Sequence, residues 1–512
     1  MSLFARKSID QLQSDAVTEG AQSFKRVLGP WNLISLGIGA IIGTGIFVLT
    51  GSAAAQYAGP AIVWSFVLAG VGCVFAGLCY AEFAAMIPIA GSAYTYGYAT
   101  LGEFIAWIIG WDLMLEYMFG AATVAVGWSG YVNSMLRDIG IHLPPSLTNS
   151  PGELVQLPDT GGWVRATEGL ARSLAERNID IVSLPHAVGV FNIVAALGIG
   201  AITILLVLGI RESARFNNIA VIIKLSVVVL FIFAGGWWIM QNMSTAQDNW
   251  TPFIPDQTGP GQFGFSGIVR ASGVIFFAYI GFDAVSTTAQ EAKNPQKDMP
   301  IGIMGSLLIC TVLYILVSGI MTGIVPYSSL NVAEPIAVAI DVVGVPVLQG
   351  LVKVGAIAGL TSVLMVMLLG QPRIFHTMAK DGLLPPVFSK VHPKFRTPYV
   401  STILTGVICG IISGLVPIGI LGELVSIGTL LAFVIVCGGV WYLRVKEPNR
   451  PRPFKTPLVP LVPILGILVC GYMMWNLPGD TWLRLIVWLV IGFVIYFTYS
   501  RHHSVVAQQQ RT

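Results

Sequence analysis

The sequence predicts an all-α polytopic membrane protein. Three observations predict it. Only 10% of the residues are charged and 55% are hydrophobic, whereas a soluble domain carries about 25% charged residues. Twelve apolar runs are separable, each near the ~20 residues that a helix needs to cross a bilayer. Lysine and arginine collect in alternate connections between those runs, as the bias towards positive inner loops requires. The mean hydropathy of +0.77 agrees. The net charge of +3 decides nothing by itself.

The runs lie at about 31–55, 61–86, 101–134, 188–209, 217–240, 265–290, 301–325, 350–379, 398–416, 420–444, 459–477 and 480–499. The first 30 residues are polar and mixed. They hold no apolar stretch followed by a cleavage site, so no signal peptide is expected. With the N-terminus placed inside, 20 of the 28 lysines and arginines fall on the cytoplasmic side. Six fall outside: Arg137, Arg165, Arg172, Arg177, Lys353 and Arg484. Lys224 and Arg270 lie within or at the ends of spans. Both termini are therefore expected in the cytoplasm.

The first run contains Gly37, Gly39, Gly43 and Gly45. Glycine lacks the Cβ that restrains the backbone, so four of them weaken a helix. A broken helix in hydrocarbon leaves backbone groups unpaired unless they line a cavity or meet a ligand. The stretch is thus a binding-site candidate. Gly39 and Gly43 also fit a GxxxG helix contact. The sixth run is interrupted too, at Phe277-Ala278-Tyr279-Ile280-Gly281, followed by Asp283. Broken runs at positions one and six suggest two copies of a five-helix unit. An odd number of helices per copy inverts the second copy, and such repeats place a site at the midplane.

Between the third and fourth runs lies the longest loop, 137–185, expected outside. The apolar spacing of Val164 to Arg177 predicts a short helix lying along the surface, and the loop as a whole reads as a surface cap. The Lys- and Pro-rich stretch from Lys380 to Pro398 reads as a cytoplasmic connector. The six cysteines lie in or at the edges of apolar runs, with no CxxC or Cys/His metal spacing. They read as small packing residues, and no disulfide is expected.

Lys224 stands in the middle of AVIIKLSVVVL, too far from either interface to snorkel. A charge at mid-bilayer costs several kcal/mol, so such residues are usually functional. Asp112 and Glu116 are spaced i, i+4 within the third run, on one helix face. They are possible additional acidic sites, with a hydrogen bond to a neighbouring helix as the equal alternative. Glu82, Asp283, Glu291 and Glu423 fall near ends or bends and read as gate or scaffold residues.

The stretches GAIIGTGIF (Gly39 to Phe47) and FFAYIGFDAVSTTAQE (Phe276 to Glu291) resemble the amino acid–polyamine–organocation superfamily. YAEFAAMIPIAGSAYTY, WDLMLEYMFG, AKDGLLP and ELVSIGTLLAF are similar to its cationic amino acid transporter branch and the bacterial relatives. The resemblance covers residues 30 to 445. It implies the leucine-transporter fold with twelve transmembrane helices, a 5+5 inverted repeat and two accessory helices. Residues 1–30 would be a cytoplasmic tail, 31–240 the first repeat, 241–445 the second, and 446–512 the accessory helices and a second cytoplasmic tail.

The resemblance also implies a substrate site. The substrate carboxylate would meet backbone N–H groups of Gly43, Thr44 and Gly45, where a helix N-terminus favours an anion. The ammonium would meet carbonyls near Ile41, Phe277, Ala278 and Ile280. Met367 aligns with a position that faces the substrate side chain, and a methionine there implies smaller neutral substrates. Lys224 would occupy the place of a sodium ion, with Thr361 and Ser362 and carbonyls of the first run as partners. It would either exchange a proton during the cycle or stay permanently charged.

The expected function is secondary active transport of amino acids across the cell (inner) membrane, coupled to protons, by alternating access. An amino acid/polyamine exchanger on the same fold is the alternative, and a non-transporting amino acid sensor the alternative of another class. No HExxH, GxSxG or P-loop is present, so no enzyme or ATP-driven pump is expected. The expected partners are an amino acid, protons and membrane lipid, with no nucleic acid and no cofactor. A small membrane subunit is left open.

Overall fold

The computed structural model describes residues 5–7, 28–87, 92–158, 161–166, 170–171, 174–175, 179–208, 214–283, 285–286, 292–395 and 397–509. Glu291 and most of the N-terminal tail lie outside them.

The described chain is predominantly helical. Helix α1 (Pro30–Ile41) opens on a proline, whose fixed φ suits a first helical position. It stops at Ile42, whose ψ of 103° is extended. The chain coils again in a π turn at Gly45–Leu49, a short α turn at Thr50–Ala53 and a second π turn at Ala54–Ala58. Helix α2 (Ile62–Met86) follows, then the short α3 (Ser92–Thr100) and the long α4 (Glu103–Asp138). Helices α5 (Ile193–Val207) and α6 (Ala214–Gln241) complete the first half.

The second half repeats the opening break. Helix α7 (Gly264–Ile275) tightens into a 3₁₀ turn at Phe276–Tyr279 and ends at Ile280, with ψ 135°. Then come α8 (Pro295–Ile324), a short α9 (Pro335–Val343), α10 (Pro346–Lys380), α11 (Tyr399–Leu415) and α12 (Ile418–Lys446). Helices α13 (Leu461–Trp475) and α14 (Gly479–Ile495) close the chain. Among the described residues, seven helical stretches are long and apolar enough to cross a membrane. Five shorter apolar helices accompany them. Helix α8 packs on α1 and α2, and α10 lies between α4, α6 and α11.

The 137–185 loop differs from expectation. Gly152–Gln156 (β1), Trp163–Arg165 (β2) and His186–Gly189 (β3) form an antiparallel sheet in the order β2-β1-β3, with Val155 opposite Val164. Val164 therefore lies in a strand rather than in the surface helix expected over Val164 to Arg177. Helical residues occur further on, at Leu170 and Leu174. The apolar spacing misled because all three side chains enter one small core with Val155 and Leu157. Val164 reaches it by strand alternation, not by helical pitch. Val332, just before α9, packs on that core and ties the sheet to the α8–α9 connection.

The two ends of α4 lie in contrasting surroundings. At its start, Glu103 N–H donates to the Ala5 carbonyl (2.9 Å), and Lys7 pairs with Asp381 (2.5 Å). The Glu103 carboxylate accepts from Tyr98 (2.9 Å), Tyr496 (3.1 Å) and Ser504. Both tails thus dock at this end. Nearby, Glu82 is bracketed by Arg444, bidentate at 2.8 and 2.9 Å, and by Arg452 at 3.1 Å. It also accepts from the Thr456 N–H. Glu82 is a scaffold clamp, since breaking a buried pair leaves an uncompensated charge.

Candidate functional site

The two broken helices meet where neither has side chains to spare. A Cβ on Gly45 would stand 2.2 Å from the Ala278 Cα. Gly281, at φ +115°, would place a Cβ 2.8 Å from the Ala40 carbonyl. Glycine is the residue that tolerates both that φ and that approach. The breaks therefore interlock: Gly45 lies on Ala278 and Gly281 on Ala40.

Breaking a helix frees backbone groups. The Ile41 and Ala278 carbonyls point to one hydroxyl, Tyr314 Oη on α8, at 3.0 and 2.8 Å. A hydroxyl has one proton to donate, so it cannot satisfy both carbonyls at once. The pair keeps acceptor capacity for a cationic donor. On the other side of the gap, Gly43, Thr44 and Gly45 stand at the first turn of a helix, where N–H groups lack intrahelical acceptors. The Thr44 hydroxyl is buried and has no hydrogen-bond partner among the described residues. The first break thus has carbonyl acceptors at its start and the free N–H donors of a helix start just after it.

Met367 on α10 reaches across to α4. A Cβ on Gly120 would lie 2.8 Å from its Sδ and 3.9 Å from the Phe277 ring. Gly120 thus leaves room for the thioether beside Phe277. Val363, one turn earlier on α10, lies against Gly43.

Lys224 on α6 is fully buried. Its Nζ donates to the Gly39 carbonyl at 2.6 Å, in the last turn before the first break. Thr361 Oγ1 donates to the Ile357 carbonyl (2.7 Å) and accepts from Trp128 Nε1 (3.0 Å). Ser362 Oγ donates to the Gly359 carbonyl (3.0 Å).

The acidic pair on α4 is split by geometry. A π turn at Leu115–Phe119 follows Asp112, so the spacing no longer corresponds to one α-helical face. Glu116 accepts from Thr429 (3.4 Å) and neighbours Asp283. Asp112 is buried, and neither of its carboxylate oxygens has a partner among the described residues.

At the far end of α4, a cavity of about 600 Å³ is lined by Gln56, Tyr57, Asn133, Arg137, Glu334 and Glu423, among others. It also touches Val48, just past the first break. Arg137 and Glu334 bridge it at 2.7 Å. Burial pushes the Glu334 carboxyl above its ordinary range, against the pull of Arg137. Tyr131, beside the lining residue Gly130, donates to the Phe47 carbonyl at 2.6 Å.

Tyr314, Gly120 and Gly359 were not singled out in the sequence. Tyr314 sits in an apolar run, where a tyrosine reads as packing. The GAIAG motif of Gly355 to Gly359 was the visible signal for the helix contact described below.

The amino acid permease family profile matches residues 28–498. The chain is 47% identical to the branched-chain amino acid permease BcaP of Bacillus subtilis (strain 168), over 98% of each chain. It is 43% identical to the methylthioribose transporter of the same organism, over 98% of this chain and 99% of that one. It is 31% identical to the vacuolar cationic amino acid transporter 4 of Arabidopsis thaliana, over 98% and 96%.

Proposed function

This chain belongs to the amino acid permease family, and we propose that it takes up neutral amino acids by proton-coupled alternating access. The observation that carries this reading is the meeting of two broken helices. Gly45 lies on Ala278 there, and one hydroxyl, Tyr314, serves the carbonyls of both breaks, Ile41 and Ala278, which supports a site made of carbonyl acceptors and helix-start N–H donors. The ammonium binds at the carbonyls, alongside Phe277 and Ile280, and displaces part of the Tyr314 interaction. The carboxylate binds at the helix start. Those contacts are common to all α-amino acids, so specificity falls to side chains such as Met367. The fold is proposed to be leucine-transporter-like: twelve spans, repeats over 31–240 and 241–445, and both termini in the cytoplasm of a cell whose inner membrane holds the protein.

A panel of labelled amino acids in proteoliposomes tests this, with and without an inward proton gradient. Valine, leucine or isoleucine is expected to accumulate only with the gradient. Uptake unaffected by the gradient but driven by internal amino acid would make the protein an exchanger. Binding without uptake would make it a sensor. Methylthioribose belongs in the panel because a relative at 43% identity carries that name. It lacks the ammonium and carboxylate, so uptake of it alone would remove the role of the two helix ends.

Met367→Ser is expected to improve arginine or lysine binding by enlarging the distal pocket. The gain should be modest, since a change of this size in a pocket is worth about 1–3 kcal/mol. Competition of unlabelled arginine against labelled isoleucine measures it. Unchanged competition would place Met367 away from the substrate side chain.

A further inference from the structure

Helix α10 presents two glycines one turn apart, Gly355 and Gly359, to α6. A Cβ on Gly355 would stand 2.0 Å from Val227 Cγ2. A Cβ on Gly359 would stand 2.8 Å from Lys224 Cγ, 3.5 Å from its Cδ and 3.6 Å from its Cε. Small residues at such spacing let helix backbones approach. Here the groove holds more than a backbone. Three methylenes of Lys224 lie along the gap that Gly359 leaves, and the ammonium emerges at the Gly39 carbonyl, 2.6 Å away.

We infer that Gly359 is a positioning residue for Lys224, holding its stem so that its ammonium reaches α1 just before the break. A lysine stem has four carbons and high rotamer freedom. An ammonium aimed at one carbonyl therefore needs a fixed path. The groove supplies it. Ser362 donates to the Gly359 carbonyl and holds the wall of the groove in place. A methyl at 359 displaces the stem at Cγ, and the displacement grows towards Nζ. The inference rests on the proton coupling proposed above, with Lys224 taken as the group that exchanges the proton.

The test uses the full-length protein in proteoliposomes with labelled isoleucine as probe. Gly359→Ala is expected to shift the pH midpoint of uptake by about one unit or more, a tenfold change in proton affinity. Isoleucine binding should stay within about twofold, as expected of sites out of direct contact. The control is Gly355→Ala combined with Val227→Ala, which alters the same helix pair one turn away. It should leave the pH profile as in the wild type even where it lowers the melting temperature. In a Lys224→Ala background, Gly359→Ala should have no further effect. If Gly359→Ala alone is lost from the membrane, Lys224→Ala should restore it by removing the stem. An unshifted pH midpoint for Gly359→Ala overturns the inference. So does an effect of equal size in the Lys224→Ala background, or a loss that Lys224→Ala does not restore. If Lys224→Ala itself keeps wild-type proton-driven accumulation, the coupling role fails first, whatever Gly359→Ala does.

Discussion

Gly45→Leu is expected to abolish both uptake and substrate binding. The Cβ alone would stand 2.2 Å from the Ala278 Cα and 2.3 Å from its Cβ. Those atoms cannot rotate aside, so the two broken helices must separate. Inserting methylenes into a packed core costs about 1–3 kcal/mol, and a backbone contact has less room to relax. Separation also spoils the Tyr314 bridge between Ile41 and Ala278. Gly43 offers the contrast. A Cβ there has the Val363 side chain as its nearest neighbour, its methyls at 3.1 and 3.3 Å. Gly43→Ala should keep part of its uptake, and Val363→Ala should restore more. Equal amounts of wild-type and variant protein in the membrane are compared by labelled isoleucine uptake. Normal uptake by Gly45→Leu would remove the contact between the breaks from the mechanism.

Lys224→Ala is expected to lose accumulation driven by a proton gradient while still binding substrate. The Lys224 ammonium joins α6 to the end of α1 through the Gly39 carbonyl. On the proposed coupling, the protonated lysine holds α1 in place. Neutral, it loses much of that attraction. The balance between conformers then depends on pH by as much as the lysine pKa differs between them. Each unit of that difference is worth about 1.4 kcal/mol. On this proposal sodium should have no effect, because the protonated Lys224 takes the place of a bound cation. Two results would defeat this: uptake that requires sodium, or a Lys224→Ala protein that still concentrates isoleucine on a proton gradient alone.

The sequence revealed different parts of the molecule to different degrees. Long apolar runs are read easily because hydropathy accumulates over ~20 residues. The end of α1 at Ile42 falls where glycines crowd, and the end of α7 at Ile280 falls beside Gly281; glycine acts on its own backbone, so both were legible. Lys224 was visible because a cation in an apolar run has no bland surroundings. The sheet of the 137–185 loop was hidden, since Val164, Leu170 and Leu174 share a core from two kinds of element. Tyr314 was hidden for another reason. Its importance lies in two distant carbonyls, and no local pattern reports a contact between residues 314, 41 and 278. The tie between Trp128 and Thr361 is long-range in the same way. The π turn after Asp112 also left no periodic signature, so an i, i+4 spacing suggested a shared face.

The Glu103 carboxylate bears on how the protein is made. Its partners come from both ends of synthesis: Tyr98 just before it, and Tyr496 and Ser504 much later. Ser504 is 401 residues downstream. At about 5–20 residues per second, roughly 20–80 s pass before the ribosome delivers it. Until Tyr496 and then Ser504 are made, Tyr98 is the one of these three partners present at the base of α4. The helix that spans from the tails to the cavity is thus inserted early and locked last.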